Sequence, residues 1–515
     1  MSVRINVLAS WAGHVATTAV GFFLMPYVIH AIGDTSYGTW VFLNAIAGYT
    51  GLLYLGFGET ISRYVSQHYA RREWERLNEV VSGVFAAYFV SGFIALLGGV
   101  ILAAIAPWIL DGGGGGGGQS FAEVQAVIVI LGLTAALSIT GSINGGVLYG
   151  IQRFDLERGI IVAGMLAKLG LTLLFLTDRY SLITLALISL AHTALEQLVY
   201  YVAARRLVPT LRIRLRHVKR SVVKESYGFA ALSGIGLVAT KLINDTDNIV
   251  IGLALGNAAI VPYAIGSRLC EMIRRPIQQI GEVFLPRASE LNAKADQQVL
   301  QSLVCKGMGV AFLLSAALFI GGWYFGAMLI QLWMGAGYET SRWVFLLLIA
   351  AQIAASPAGV LHMVLVGVGD VRVPSFLRMA QAILNLVLSL LLVKPLGVVG
   401  VALGTMIPIL VVDLFVLLPY GIRRFEITPR YVLRHAVAPY LLPLAALWAY
   451  SHVVSGIGLE ASWPVLLAVT AGGGIVLALT WAGVWLVTER CGFSPNSFGS
   501  RLPPIDAATE LVETV

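Results

Sequence analysis

Two neighbouring apolar segments carry charges that hydrocarbon rejects. In the stretch TKLINDTDN, Lys241, Asn244, Asp245 and Asn248 recur every three or four residues, one stripe of a helix, with Asp247 displaced from it. In SRLCEMIRRPIQQ, Arg268, Glu271, Arg275 and Gln278 form a second stripe, Arg274 lies beside it, and Pro276 interrupts the helix hydrogen bonding. A charge at mid-span costs about 2.5 to 3.5 kcal/mol on insertion scales, so such residues are expected to face a cavity, a partner or an ion path. Guanidinium forks match phosphate oxygens bidentately, which makes an anionic headgroup such as a diphosphate the expected cargo. Lys241, Arg268, Arg274 and Arg275 with Asn244 and Asn248 are the binding candidates, and Asp245, Asp247 and Glu271 are candidates for a coupling proton or sodium ion. A plainer reading stands beside this one: Lys241 with Asp245, and Glu271 with Arg275, sit one turn apart and can neutralise each other as packed pairs. Arg268, Arg274 and Asp247 show no such local partner, so a cavity of net positive character is expected.

Other polar residues carry weaker signals. Lys168 stands in the middle of an apolar segment and is the binding candidate of the first half, with snorkelling to an interface as its alternative. Glu59 and Arg63, one turn apart, read as a gate or topology pair. His14 can relay protons, although a lone intramembrane histidine more often hydrogen-bonds a neighbouring helix. Asp245-Thr246-Asp247 spells the D-x-D of metal-dependent glycosyltransferases, but two acids in an apolar helix make a poor sugar-nucleotide site. The seven glycines Gly112 to Gly118 lack the G-K-[ST] ending of a phosphate cradle and read as a tether. Cys270, Cys305 and Cys491 are odd in number and have no C-x-x-C spacing, so neither a disulfide framework nor a zinc site is implied. No metal and no cofactor are expected.

The elements that must position these residues are spans. The 515 residues are 58% hydrophobic and 12% charged, against about 25% charged in soluble domains. An all-α polytopic membrane protein follows, with helices expected near 5 to 30, 38 to 64, 80 to 110, 121 to 149, 159 to 176, 182 to 204, 227 to 255, 260 to 285, 307 to 334, 343 to 366, 376 to 393, 398 to 420, 436 to 455 and 463 to 487. Most of the 34 lysines and arginines fall in alternate breaks, while the breaks between hold only Arg179, Arg342 and Lys394. That asymmetry places both termini in the cytoplasm, as expected of a polytopic inner-membrane protein. The apolar N-terminus is too long for a signal-peptide core and reads as a retained first span. The basic run at 205–226 divides the chain into an N-lobe (1–204) and a C-lobe (227–420), followed by two helices (421–489) and a flexible tail (490–515). A formal charge of +7 is scattered over short loops without aromatic interleaving, which excludes nucleic acid as a partner.

The stretch from Ile32 to Gly83, IGDTSYGTWVFLNAIAGYTGLLYLGFGETISRYVSQHYARREWERLNEVVSG, resembles the N-terminal signature of bacterial polysaccharide and O-antigen flippases. DNIVIGLALGNAAIVPYAIGSRL, Asp247 to Leu269, is similar to the turn that opens their second lobe. The resemblance implies the multidrug/oligosaccharidyl-lipid/polysaccharide exporter superfamily: two six-helix lobes about a central cavity plus two C-terminal helices, with about 14 transmembrane helices in all. Its polysaccharide branch moves undecaprenyl-diphosphate-linked glycans between leaflets, through a cavity that is typically cationic. The implied partners are lipid-linked oligosaccharide, membrane lipids, and possible glycan polymerase and glycosyltransferase assemblies. The competing expectations are a cation-coupled multidrug or metabolite exporter of the same fold, and an integral-membrane glycosyltransferase or polymerase. Short outside breaks and the absence of a Walker A motif argue for transport without intrinsic ATP hydrolysis.

Overall fold

A computed structural model describes residues 3–54, 57–110, 120–176, 181–214, 217–218, 238–243 and 245–490, with side chains left aside at 3–12, 14, 54, 57–60, 108–110, 181, 280, 282–283 and 487–490. The helices are α1 (Val3–Ile32), α2 (Asp34–Gly48), α3 (Phe57–Ala70), α4 (Trp74–Leu110), α5 (Phe121–Gly150), α6 (Phe154–Phe175), α7 (Ser181–Leu207), α8 (helical at 238–243 and 245–255), α9 (Ile260–Ala293), α10 (Gln297–Met334), α11 (Glu339–Gly367), α12 (Arg372–Val412), α13 (Leu418–Arg424), α14 (Pro429–Val432), α15 (Ala438–Gly456) and α16 (Trp463–Arg490). Ten stretches among the described residues are long and apolar enough to cross a bilayer. The all-α polytopic expectation therefore holds. Large apolar side chains such as Leu174, Leu391 and Leu467 lie on exposed helix faces, where hydrocarbon and not water is the fitting solvent.

One boundary differs from the sequence pattern and another agrees with it. Where the pattern predicts one helix over 38–64, α2 ends at Gly48 and a 3₁₀ segment, Tyr49–Tyr54, intervenes before α3. The helix α12 is in fact two helices, because Gly397 takes φ 61° and reverses the chain. The halves then pack so closely that a Cβ at Gly400 would fall on the Leu392 carbonyl, and one at Gly404 on Ser389. Small residues four apart let the two backbones approach, as in other G-x-x-x-G contacts.

Packing divides the chain into two units, Met1–Ile265 with Arg378–Thr405, and Gly266–Leu377 with Met406–Val515. These units cut the chain at Ile265 and within α12, whereas the lobes read from the sequence meet at the basic run. In the first unit, α5 is central: Gly146 and Gly150 admit Ile61 and Val65 of α3, and Gly99 of α4 meets Gly132. The start of the basic run is docked here. Asn78 of α4 accepts from the Arg212 amide at 2.6 Å and donates to the Thr210 carbonyl at 3.1 Å, while Leu211 is buried and Arg212 and Arg214 are exposed. In the second unit α10 packs against α11 and α15, and α15 against α16, where Gly472 and Gly473 receive Tyr450 and Leu447. Cys270 and Cys305 are buried free thiols. The glycine run and Cys491 lie outside the described residues, as does most of the basic run beyond Arg214.

Candidate functional site

The turn between α8 and α9 sets the first group. Gly256, with φ 91°, ends α8, and a short 3₁₀ turn, Asn257–Ala259, leads into α9. Asn257 Nδ2 donates to Thr39 Oγ1 of α2 at 2.9 Å, and Gly38 leaves room for the Asn257 carbonyl. This anchor holds α8 and the first turns of α9 together, and between them lies Asp247.

Asp247 is 1% exposed. Its Oδ2 accepts from the Tyr263 hydroxyl and from Thr405 Oγ1 at 2.7 Å, and its Oδ1 accepts from Ser389 Oγ at 3.2 Å. Asn385 Nδ2 donates to Thr405 Oγ1 at 2.8 Å, which extends the donor chain. Asp247 has no partner one turn away, as expected, but it is not unpaired: its partners come from both halves of the α12 hairpin and from α9. Arg378, Gln381, Asn385 and Ser389 recur at helical spacing and make a polar stripe along the first half of α12. The Asn385 carbonyl oxygen is buried without a hydrogen-bond partner. One carboxylate surrounded by hydroxyl and amide oxygens suits a proton or a hard monovalent cation, since soft ligands are missing from this set. Among the described residues no group of three or more His, Cys, Asp or Glu side chains is placed to hold a metal.

Six residues before Asp247, Lys241 forms an ion pair with Asp245 one turn along the helix, as its spacing allows. Gly48 at the end of α2 makes room for the Lys241 side chain, because a Cβ there would meet Nζ at 2.7 Å. The hydroxyls of Tyr49 and Thr246 share a 2.5 Å hydrogen bond alongside. Asn248 keeps a buried carbonyl oxygen without a partner, and Asn244 lies outside the described residues.

Within the second unit, residues 268–275 of α9 present three guanidiniums and one carboxylate. Arg275 holds Glu271 at 2.6 Å, and Arg268 lies 3.4 Å from its other oxygen. Arg268 thus has the local partner that the sequence did not suggest. Arg274 makes no hydrogen bond or ion pair among the described residues, although its charge acts on Glu271. The balance is cationic. Arg268 and Glu271 are about one-third exposed, and Arg275 more than half. Gly266 seats the helix against Ser341 and Phe345 of α11, so the arginines are carried on a helix fixed from its other side.

In the first unit Lys168 of α6 is half-buried and makes no ion pair among the described residues. Glu196 of α7 acts on it electrostatically, and Lys168 acts on His192, also of α7. Glu196 carries the same signal as Lys168, an ionisable side chain in an apolar span, and the sequence reading passed over it. Arg63 is exposed; the side chains of Glu59 and His14 lie outside the described residues. Ser389, Thr405, Tyr263 and Asn385 were missed because isolated hydroxyls and amides in a span ordinarily mark helix packing. Asp413 was missed as well. It is 1% exposed and lines a cavity of about 360 Å³ in the second unit, otherwise apolar, with Phe312, Pro357, Leu410 and Val437 among its walls.

A family model described as polysaccharide biosynthesis protein matches residues 71–342, more than half of the chain. The chain belongs to that family. Membership bears out the resemblance read at Asp247 to Leu269, which lies inside the matched region. Among curated relatives, an uncharacterized membrane protein EpsK of Bacillus subtilis is 21% identical over 91% of this chain and 92% of its own length. A probable low-salt glycan biosynthesis flippase, Agl15 of Haloferax volcanii, is 21% identical over 41% of this chain and 46% of its own. Of solved structures, the lipid II flippase MurJ in an inward closed conformation superposes with TM-score 0.71 at 11% identity, covering 95% of this chain and 99% of that one. An inward-facing multidrug resistance MATE transporter of the MOP superfamily gives 0.65 at 15% identity, covering 83% and 95%. This member of the polysaccharide biosynthesis family therefore has the fold of these transporters and is a polytopic membrane protein.

Proposed function

We propose that this family member is a flippase that carries an undecaprenyl-diphosphate-linked oligosaccharide from the cytoplasmic to the periplasmic leaflet of a bacterial inner membrane. The observation that carries the reading is the excess of guanidinium over carboxylate at residues 268–275 of α9, half-exposed on a helix of a polytopic chain. Arg268 and Arg274, with Lys241, Arg275 and Lys168, bind the diphosphate. Asn244 and Asn248 assist, and the lipid tail stays in hydrocarbon. Glu271 and Asp245 hold the cations in place when no cargo is bound, since a carboxylate that pairs with a guanidinium can be displaced by a phosphate of higher charge. Asp247 with Thr405, Ser389 and Tyr263 takes the coupling proton or sodium ion.

Residues 1–204 and 227–420 act as the lobes of an alternating-access cycle, with both termini cytoplasmic and Glu59, Arg63 and His14 at the gate. The glycosyltransferases that complete the lipid-linked unit, and the polymerase that consumes it, are the natural partners. Export of surface glycan in a strain carrying Arg268→Ala with Lys241→Ala tests the reading. Loss of export at unchanged protein level is the expected result, and full export by the double variant would remove the cargo assignment.

A further inference from the structure

The seam between α6 and α7 holds more titratable groups than cargo binding at Lys168 needs. Glu157, Gly164 and Lys168 share one face of α6, spaced by seven and four residues, and His192, Glu196 and Tyr200 recur every four residues along α7. The two helices pack on each other. His192 turns its Nε2 edge to Gly164, where a Cβ would come within 3.0 Å. The charge of Glu196 acts on Lys168, that of Lys168 on His192, and that of Glu157 on Glu196 and Tyr200. Glu157 itself lies 3.3 Å from Arg158. From α5, Gly141 and Gly145 face Gln197 and Tyr200 and bring no charge, and the Gln197 carbonyl oxygen is buried without a partner. α1 also packs on α6 and α7, and the side chain of its His14 lies outside the described residues.

We propose that Glu196 and His192 form a proton-uptake site that answers an anionic headgroup arriving at Lys168. The ammonium of Lys168 stabilises the Glu196 carboxylate and repels a proton on His192. A diphosphate brings more negative charge than Lys168 carries positive, so both effects reverse on binding and protons move onto the seam. Because Lys168 makes no ion pair among the described residues, the anion displaces no bonded partner there. Linkage then gives the sign: if binding takes up protons, binding must tighten as pH falls, approaching about tenfold per pH unit for one proton. The site rests on the reading of Lys168 as a headgroup-binding residue.

The test uses the full chain in lipid nanodiscs, farnesyl diphosphate as the probe, calorimetry for binding and a pH-indicator dye in weak buffer for protons. Wild type should take up on the order of one proton per bound molecule beyond what Glu196→Gln takes up, a difference from which the probe's own titration cancels. Glu196→Asp should recover part of it. Should Glu196→Gln fail to reach the membrane, His192→Gln serves, with a flatter pH dependence of affinity expected. Binding that Lys168→Gln weakens, with equal proton uptake in wild type, Glu196→Gln and His192→Gln, would overturn the site while sparing the Lys168 assignment. No binding, or binding indifferent to Lys168→Gln, would overturn both.

Discussion

Thr405 donates its hydroxyl to Asp247 at 2.7 Å while accepting from Asn385, so one hydroxyl ties the carboxylate of α8 to both arms of the α12 hairpin. A carboxylate buried this fully needs every donor it has. The contact is therefore a structural tie between α8 and the hairpin.

Thr405→Val removes the middle of that chain without changing side-chain volume much. It should lower stability by about 0.6 to 1.7 kcal/mol, the range of interhelical hydrogen bonds in membrane proteins. Asp247→Asn combined with Thr405→Val should cost less than the two singles added, because both break one network. Thermal midpoints of the detergent-solubilised variants measure this, and strict additivity would refute the coupling.

At the hairpin, Gly400→Val places a side chain on the Leu392 carbonyl, whereas Gly474 faces open space. The first substitution should destabilise by about 1 to 3 kcal/mol or more and reduce the amount of protein in the membrane. Gly474→Ala should leave that amount unchanged. Immunoblots of isolated membranes decide between them.

On α9 the two signs of charge predict opposite outcomes. Removing Arg274, whose charge no bonded carboxylate offsets, should weaken binding of a diphosphate probe by roughly ten- to a hundredfold, given about 1.5 to 3 kcal/mol for a charge-assisted hydrogen bond. Glu271→Gln releases Arg268 and Arg275 and should tighten it. Titration with farnesyl diphosphate reads both, and equal weakening by the two variants would show that the cluster serves only to hold α9 together.

Cysteine labelling with a membrane-impermeant maleimide checks orientation. In a Cys491→Ser background, Glu460→Cys, between α15 and α16, should label from outside intact spheroplasts, and Arg206→Cys, at the end of α7, only after lysis. The reverse pattern would invert the topology and with it the direction of transport.

Much of this molecule was open to reading from the chain because hydropathy is a local, additive property. The ten long apolar helices among the described residues and the alternation of basic breaks need no knowledge of neighbours, and the break at Gly397 was visible as a gap between two spans. The pairs Lys241 with Asp245 and Glu271 with Arg275 were equally legible, since i,i+4 contacts are set by helix geometry alone. Family membership came with the motifs around Asp247 to Leu269. Tertiary structure alone decided the surroundings of Asp247, whose partners Ser389 and Thr405 lie 142 and 158 residues further along the chain. It also packed α7, which carries Glu196 and His192, against α6, which carries Lys168. Charge in a span announces that a partner or a path is required, but which residues satisfy it depends on how helices cross, and crossing is fixed by small residues and shape that no single segment displays.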